Sequence, residues 1–569
     1  MTRQVESPMV ALFLAVTIFA TGARAQDRTQ GRSVVMSRYG MVAAESPLAA
    51  QAGAMILARG GHAVDAAVAT NAVMGVVAPH SNGIGGDLFA IVYDAKSNKT
   101  YGLNASGWAA AGMTIEWLKK KGMTRVMPPE GILTVTVPGA VEGWDKLLGR
   151  FGRMKYPELL APAIRYAEEG FPVTEWSIGT WTEGAPALLA DPNGVRTFLP
   201  HNRPPQFGEI FKNPDLAWSL KQIAAGGRNA FYEGEIGRRI VQTSERLGGA
   251  LALPDFAEFS AEWVEPISTT YRGWTVYEIP PNGQGISALI MLNLMERFPL
   301  GEFGQNSADA LHVMIEAKKL AYADVLRYVA DQRFSKVPVS GILSKEYAVK
   351  RSQLINMATA NCAVQPGQPP ALAGSDTIYL SVVDREGNMV SLIQSNFAYF
   401  GSGVVPEGTG FVLQNRGNLF SLDPSHPNAL AGHKRPLHTI IPAFMAKGNI
   451  RIAFGIMGGW NQSQAHAQFV SNVADHGMNI QAALDAARFT KLNFAGCDLY
   501  MEGRVSQQVR NDLAKRGHQI ESLGTFSDAV GGGQAVMRDF STGVNYGASD
   551  PRKDGEAIPE PLPVAMNGK

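Results

Sequence analysis

Thr377 and Ser395 carry hydroxyls on two apolar, β-branched-rich runs that turn back on each other. The first run is Gly374-Ser-Asp-Thr-Ile-Tyr-Leu-Ser-Val-Val383, and the second spans Met389 to Ser395. Between them, Arg385-Glu386-Gly387 places a glycine where a type I turn followed by a bulge needs positive φ. Such a loop predicts pairing symmetric about Glu386, with Val383 opposite Met389, Leu380 opposite Leu392 and Thr377 opposite Ser395. One face of this hairpin, with Ile378, Leu380, Val382, Val390 and Leu392, suits a core, while the other presents Thr377, Tyr379, Ser381, Ser391 and Ser395. Directly opposed Cβ atoms lie about 4.5–5.5 Å apart, so the hydroxyls of Thr377 and Ser395 come within reach of each other. Taken alone, this is an ordinary cross-strand Thr/Ser contact.

The segment before the hairpin adds chemistry. Cys362 to Ser375 is rich in Gln, Pro, Gly and Ala and is the least structured interior stretch. A cut at its end makes Thr377 a chain terminus. A threonine hydroxyl is a poor nucleophile without a base, and the freed α-amino group, with a reference pKa of about 7.7–8.0, supplies one on the same residue. Ser395 would orient the hydroxyl. The tetrahedral oxyanion then needs two N–H donors, and Gly458-Gly459, between a predicted strand (Ile450 to Ile456) and a predicted helix (Gln462 to His476), is the best candidate. The same glycine pair also suits a plain strand-to-helix turn.

These residues need a large scaffold to hold them. The chain has 569 residues, 45% hydrophobic and 18% charged, which buries a sizeable core and excludes a disordered protein. A net charge of +1 with no basic block gives no electrostatic footprint for nucleic acid or an anionic membrane, so a small neutral or mixed-charge molecule is the expected partner. Alanine-rich helices are predicted over Pro47 to Arg59 and Ala63 to Val77, and strands over Leu88 to Tyr93, Gly131 to Val137, Trp274 to Ile279, Phe411 to Gln414 and Ala443 to Ala446. Residues 155–270 read as mostly helical, with further helices over Ile286 to Glu296 and from Ala308 to about Ala330. Helices flank a strand-rich centre in both halves, which fits an α+β, four-layer αββα sandwich.

The amino terminus reads as a secretory signal. Met9 to Ala20 is apolar and ends near Ala23-Arg24-Ala25, predicting cleavage after Ala25 and a periplasmic or secreted protein. Only Cys362 and Cys497 are present; an oxidising compartment would let them pair, but two cysteines in so long a chain make no scaffold, and two unpaired thiols are the expected reading. The ten histidines include no HExxH, so no metal site is predicted.

The chain resembles the γ-glutamyltransferase (glutathione hydrolase) family of N-terminal nucleophile hydrolases over nearly all its mature length. The resemblance is carried by Gly60-Gly-His-Ala-Val-Asp-Ala-Ala67, Asn82-Gly-Ile-Gly-Gly-Asp87, Val137-Pro-Gly-Ala-Val-Glu-Gly143, Thr377 with Ser381-Val-Val-Asp384 and Gly387-Asn388, Lys434-Arg-Pro-Leu437, and Met457-Gly-Gly459. It implies a signal peptide (residues 1–25) followed by a precursor that cleaves itself into a large subunit (26–376) and a small subunit (377–569), together forming one domain. It further implies attack by Thr377 on a γ-glutamyl or related amide and transfer of the acyl group to water or an amine, without metal or organic cofactor.

The ligand set departs from the family pattern. The resemblance puts Ser106 where the family carries an arginine for the glutamyl α-carboxylate, and Phe397, Arg416 and Leu419 where it carries the Asn, Gln (or Glu) and Asp that hold the α-amino group. A buried ammonium stripped of its anionic partner loses about 3–5 kcal/mol, and Leu419 offers no anion. Arg416 instead offers a carboxylate fork. His438 and Thr439 replace two serines, as in the branch containing oxamate amidohydrolase, and Trp108 replaces an arginine common there, which implies a bulkier or more apolar acyl group. The catalytic set is therefore Thr377, Ser395, Gly458 and Gly459, and the substrate-binding set Arg416, Phe397, His438, Thr439 and Trp108. Three readings follow: a self-processing amidohydrolase or acyltransferase, an acylase of the same machinery on short dicarboxylic monoamides or acyl β-lactams, and an unprocessed binding protein.

Overall fold

The hairpin forms as its loop predicts. In the computed structural model, which describes residues 30–364, 377–494 and 496–562, its strands are Ile378–Val383 and Met389–Ser395, with Leu380 opposite Leu392 and Val383 opposite Met389. Ile378 pairs with Gln394, which sets Thr377 level with Ser395. Gly387 sits at φ 90°, and a side chain there would run into Arg538 and Phe540. The Asp384 carboxylate closes the turn by accepting from the Glu386 and Asn388 N–H groups at 3.0 and 2.9 Å.

Two seven-stranded antiparallel sheets stack face to face. One runs in the order Glu556–Pro559, Met41–Ala44, Ile378–Val383, Met389–Ser395, Asp87–Asp94, Lys99–Ala105, Glu262–Val264. The other runs Val35–Ser37, Val544–Ser549, Gly533–Asp539, Ile450–Ile456, Ala443–Lys447, Trp274–Glu278, Ile267–Tyr271. Between them lie Phe89, Tyr93, Tyr379 and Ile393 from the first sheet and Phe444, Ala453 and Val536 from the second. Helices cover both outer faces, giving the expected αββα order. Pro47–Ala58 and Ala63–Val77 lie on the hairpin sheet, and Gly285–Met295, Ala308–Tyr328 and Gln462–Ala474 on its partner. Alanine and glycine bring the first two helices close: a side chain at Gly53 would collide with Thr70.

Both faces of the hairpin are buried. Ile378, Leu380, Val382, Val390 and Leu392 join the helix-side core as expected. The hydroxyl-bearing face does not meet solvent; it points into the space between the sheets, where Tyr379 Oη and Ser391 Oγ bond at 2.8 Å. A strand covered on two sides loses the half-polar character that alternation suggested.

Other expectations fail where no neighbouring strand is available. Residues 131–137 hold only a short 3₁₀ turn, Ile132–Thr134. Residues 411–414 are extended but pair with loops, Leu413 N–H donating to Val404 O and Gln414 N–H to Gly85 O. The two cysteines are not free thiols; Cys362 and Cys497 form a disulfide across 135 residues of sequence. The predicted signal peptide and most of the linker before Thr377 lie outside the described residues. Among the described residues, no helix is long and apolar enough to cross a membrane.

Candidate active site

Thr377 is fully buried at the head of the central strand, and its Oγ1 donates to Ser395 Oγ at 3.2 Å. The strand is clamped on both sides, by Met41–Ala44 and by Met389–Ser395, and the amide two residues on, Tyr379 N–H, donates to Glu45 Oε1 at 2.8 Å. Ser395 Oγ also accepts from the Phe397 N–H at 2.8 Å. That bond needs a tight reversal, and Phe397 supplies it at φ 79°, a left-handed conformation costly for an aromatic residue. The strained backbone fixes the serine and swings the Phe397 ring into the next wall of the site.

That wall is Arg416. Its guanidinium lies 4.4 Å from the centre of the Phe397 ring, and its Nη1 donates to Thr439 Oγ1 at 2.6 Å. The side chain is fully buried, yet its Nε and Nη2 meet no acceptor, and no carboxylate among the described residues forms an ion pair with it. Burial lowers its pKa to about 9, opposed by the charge of Asp87. The residue remains cationic at neutral pH, with two donors of its fork unused. The turn that carries it is tied to the Phe397 loop by Asn415, whose N–H donates to Asn396 O at 3.2 Å and whose Oδ1 accepts from Ala398 N–H at 3.0 Å.

Asp87 and His438 form a buried pair behind this wall. His438 Nδ1 accepts from the Ile440 N–H at 3.3 Å, so Nε2 carries the proton and donates to Asp87 Oδ2 at 3.0 Å. Burial holds His438 neutral, with its pKa well below the ordinary histidine value, and the Arg416 charge pushes the same way. Burial raises the Asp87 carboxyl to about 7, while Arg416 and the Gly107 N–H pull it back. Asp87 is also the ladder partner of Ser395, which ties the pair to the hydroxyl group of the site.

Gly458 and Gly459 turn the chain out of the Ile450–Ile456 strand at φ 118° and 56°. A 3₁₀ turn, Gly459–Asn461, then leads directly into the Gln462–Ala474 helix. Among the described residues neither glycine N–H donates to a protein acceptor. The turn is held by Gln284, which sequence reasoning did not single out. Its Nε2 donates to Gly459 O at 2.8 Å and to Thr439 O at 2.6 Å, so one buried amide joins the glycine turn to the residue that grips Arg416. Tyr322 Oη supports the arrangement at Trp460 O, 2.6 Å, and Gln284 Oε1, 3.0 Å. The only sequence signal for Gln284 is its place in Pro280-Pro-Asn-Gly-Gln-Gly285, ahead of a helix.

The structure thus links Thr377, Ser395, Phe397, Arg416, Thr439 and His438 by direct contacts or through Asp87, and Gly458-Gly459 through Gln284. Trp108 stands apart. Its indole donates to Asp255 O at 3.2 Å, stacks on His433 at 4.8 Å and meets Phe259 edge-on, within the helix-side core. Ser106 and Leu419 offer no charge, and Leu419 lies in the apolar core beneath the second sheet. Elsewhere, His312, Glu316 and His518 are metal-ligand types brought together, but Glu316 is taken by the Lys319 ammonium at 2.7 Å and the two imidazoles bond to each other at 2.8 Å.

The model of the gamma-glutamyltranspeptidase family matches residues 49–560. The glutathione hydrolase-like YwrD proenzyme of Bacillus subtilis (strain 168) is 36% identical over 532 residues, covering 93% of this chain and 99% of the relative. The oxamate amidohydrolase proenzyme of Klebsiella pneumoniae is 34% identical, covering 92% and 98%. The crystal structure of cephalosporin acylase from Bacillus halodurans superposes with a TM-score of 0.87 at 42% identity, covering 96% of this chain and 99% of that one.

Proposed function

The chain belongs to the gamma-glutamyltranspeptidase family and is a γ-glutamyltransferase-like amidohydrolase or acylase; from that footing we propose that it matures by cutting itself before Thr377 and then works through that threonine. The products are a large subunit ending at residue 376 and a small subunit of residues 377–569. In the single chain the Thr377 nitrogen is an amide and no base; cleavage turns it into an amine beside its own Oγ1. Thr377 Oγ1 then attacks the carbonyl carbon of the substrate amide, the amine takes the hydroxyl proton, and the Gly458 and Gly459 N–H groups receive the oxyanion. The C–N bond breaks, the leaving amine collects the proton, and a threonyl ester remains. Water or an acceptor amine attacks that ester, giving the acid or a new amide and restoring Thr377.

The observation that carries this reading is the buried hydrogen bond from Thr377 Oγ1 to Ser395 Oγ, immediately before a strand clamped on both edges. The test is to purify the wild type beside Thr377→Ala and determine subunit masses and the N-terminus of the smaller piece. A small subunit beginning at Thr377 in the wild type alone is expected. One intact chain in both, with no amide turnover, would leave an unprocessed binding protein.

Arg416 favours the second reading, an acyl group bearing a carboxylate at its far end. Its two unused donors ask for an anion, and Asp87, the carboxyl whose charge acts on it, is already bonded to His438 rather than offered to the α-ammonium of a glutamyl group. Oxamate, glutaryl amides and acyl β-lactams assayed against a γ-glutamyl anilide separate the two. Export to the periplasm or medium is part of the proposal, supported by the amino-terminal apolar run and by a disulfide suited to an oxidising compartment.

A further inference from the structure

Cys362 precedes Thr377 in the chain and Cys497 follows it, and the two are bonded. Resting on the self-cleavage proposed above, we infer that this disulfide is an interchain bond in the working enzyme, joining its two subunits covalently.

The seam around the disulfide is built from both sides of the cleavage point. From the upstream side come the Ala308–Tyr328 helix and residues 356–362; from the downstream side come residues 491–494 and 496–518. Ala360 N–H donates to Arg516 O at 2.7 Å, and His312 Nδ1 meets His518 Nε2 at 2.8 Å while its Nε2 meets Asn356 O at 2.8 Å. Lys319 lies at the centre, donating to Glu316 at 2.7 Å and to Asn361 O at 3.1 Å, with its ammonium 3.5 Å from Cys497 Sγ. Cys497 is buried and Cys362 exposed, so a reductant reaches the bond from one side only.

Forming the bond takes two protons and two electrons from the two thiols, passed by exchange to an oxidised dithiol of the exporting compartment. A dithiol reductant returns them and separates the chains covalently but not physically. The Ile378–Val383 strand lies between Met41–Ala44 and Met389–Ser395, so strands from both subunits interleave in one sheet and the folded enzyme does not fall apart on reduction. What changes is the unfolded state. Two free chains must find each other again, which is a second-order process, whereas linked chains refold at an effective concentration independent of dilution.

The test uses the processed holoenzyme, trapped with iodoacetamide and run on denaturing gels with and without reductant. One band without reductant and two with it are expected. Cys362→Ser and Cys497→Ser should each run as two bands in both lanes while retaining amidase activity. After denaturant unfolding without reductant, the yield of refolded wild type should stay constant across a tenfold dilution, and that of Cys362→Ser should fall severalfold. Processed wild type that runs as two bands without reductant overturns the inference and leaves the cleavage reading standing. A single band in both lanes instead refutes the cleavage, and the interchain bond with it.

Discussion

Replacing Arg416 by methionine separates its role in binding from its role in stability. Two unused donors of a buried guanidinium accepting a substrate carboxylate make two charge-assisted bonds, each worth about 1.5–3 kcal/mol. Their sum, about 3–6 kcal/mol, corresponds to roughly 10²–10⁴ in kcat/KM at about 1.4 kcal/mol per decade. In the free protein the same group is a buried cation supported by Thr439, the face of Phe397 and the nearby Asp87 carboxyl, and its desolvation costs several kcal/mol. Methionine removes the charge and keeps a polarisable contact on the ring. Arg416→Met should therefore melt no lower than the wild type while losing 10²–10⁴-fold on glutaryl p-nitroanilide and less than about tenfold on butyryl p-nitroanilide. Steady-state kinetics with both anilides, beside a thermal unfolding curve, decide the matter. Equal losses on the two substrates, or an unchanged rate on the glutaryl one, would refute the carboxylate assignment.

Three further outcomes are expected. Ser395→Ala removes the 3.2 Å partner of Thr377 Oγ1 and should slow both self-cleavage and turnover by about fivefold, a neutral hydrogen bond being worth about 1 kcal/mol; subunit appearance on a gel and anilide release measure the two. Gln284→Leu removes the amide that joins the Gly459 and Thr439 carbonyls and leaves that of Thr439 unsatisfied, at about 1–3 kcal/mol, while Gly459 O keeps only the Gln462 N–H; it should lower kcat by about ten- to a hundredfold, and an unchanged kcat would show that the glycine turn needs no such brace. Asp87, with its carboxyl raised to about 7, binds its proton more tightly folded than unfolded. Its contribution to stability is present in full below the ordinary aspartate pKa of about 3.9 and is lost progressively as pH rises from there through about 7, so between about pH 4 and 7 the wild type should lose melting temperature relative to Asp87→Asn, and above about pH 7 the difference should level off.

The parts of the site legible in the sequence are those fixed by local geometry. Gly387 sets the loop, the loop sets the register, and the register brings Thr377 to Ser395 without any knowledge of the rest of the fold. Gly458-Gly459 was legible for the same reason, as a turn between a strand and a helix. What the sequence could not disclose depends on distant neighbours. Phe397 adopts positive φ because Ser395 Oγ and the Asn415 side chain hold the loop on either side, and nothing in its own identity announces that. Gln284 matters because two remote carbonyls converge on it. The hydroxyl-bearing face of the hairpin looked half exposed because alternation cannot reveal a second sheet stacked on it, and the cysteines looked unpaired because two in so long a chain make no scaffold, while the fold brings them together across 135 residues.

The position of Thr377, the proposed nucleophile, in its sheet bears on how an N-terminal base can work at all. A free chain end ordinarily frays, and an amine that wanders by an ångström or two no longer serves its own hydroxyl. Here the strand that begins one residue after Thr377 is bonded along both edges, to Met41–Ala44 from the upstream piece and to Met389–Ser395 from the downstream one. Its side chains are buried against helices on one face and the second sheet on the other. Cutting the chain before Thr377 removes one peptide bond and leaves these ladders intact, so the new terminus stays where the precursor placed it. Weakening the flank should then uncouple the two events: Glu45→Ala, which removes the acceptor of the Tyr379 N–H at 2.8 Å, should permit cleavage yet lower kcat by about tenfold. Steady-state turnover by fully processed Glu45→Ala, set against the wild type, measures this, and an unchanged kcat would show that the strand ladders alone suffice to hold the terminus.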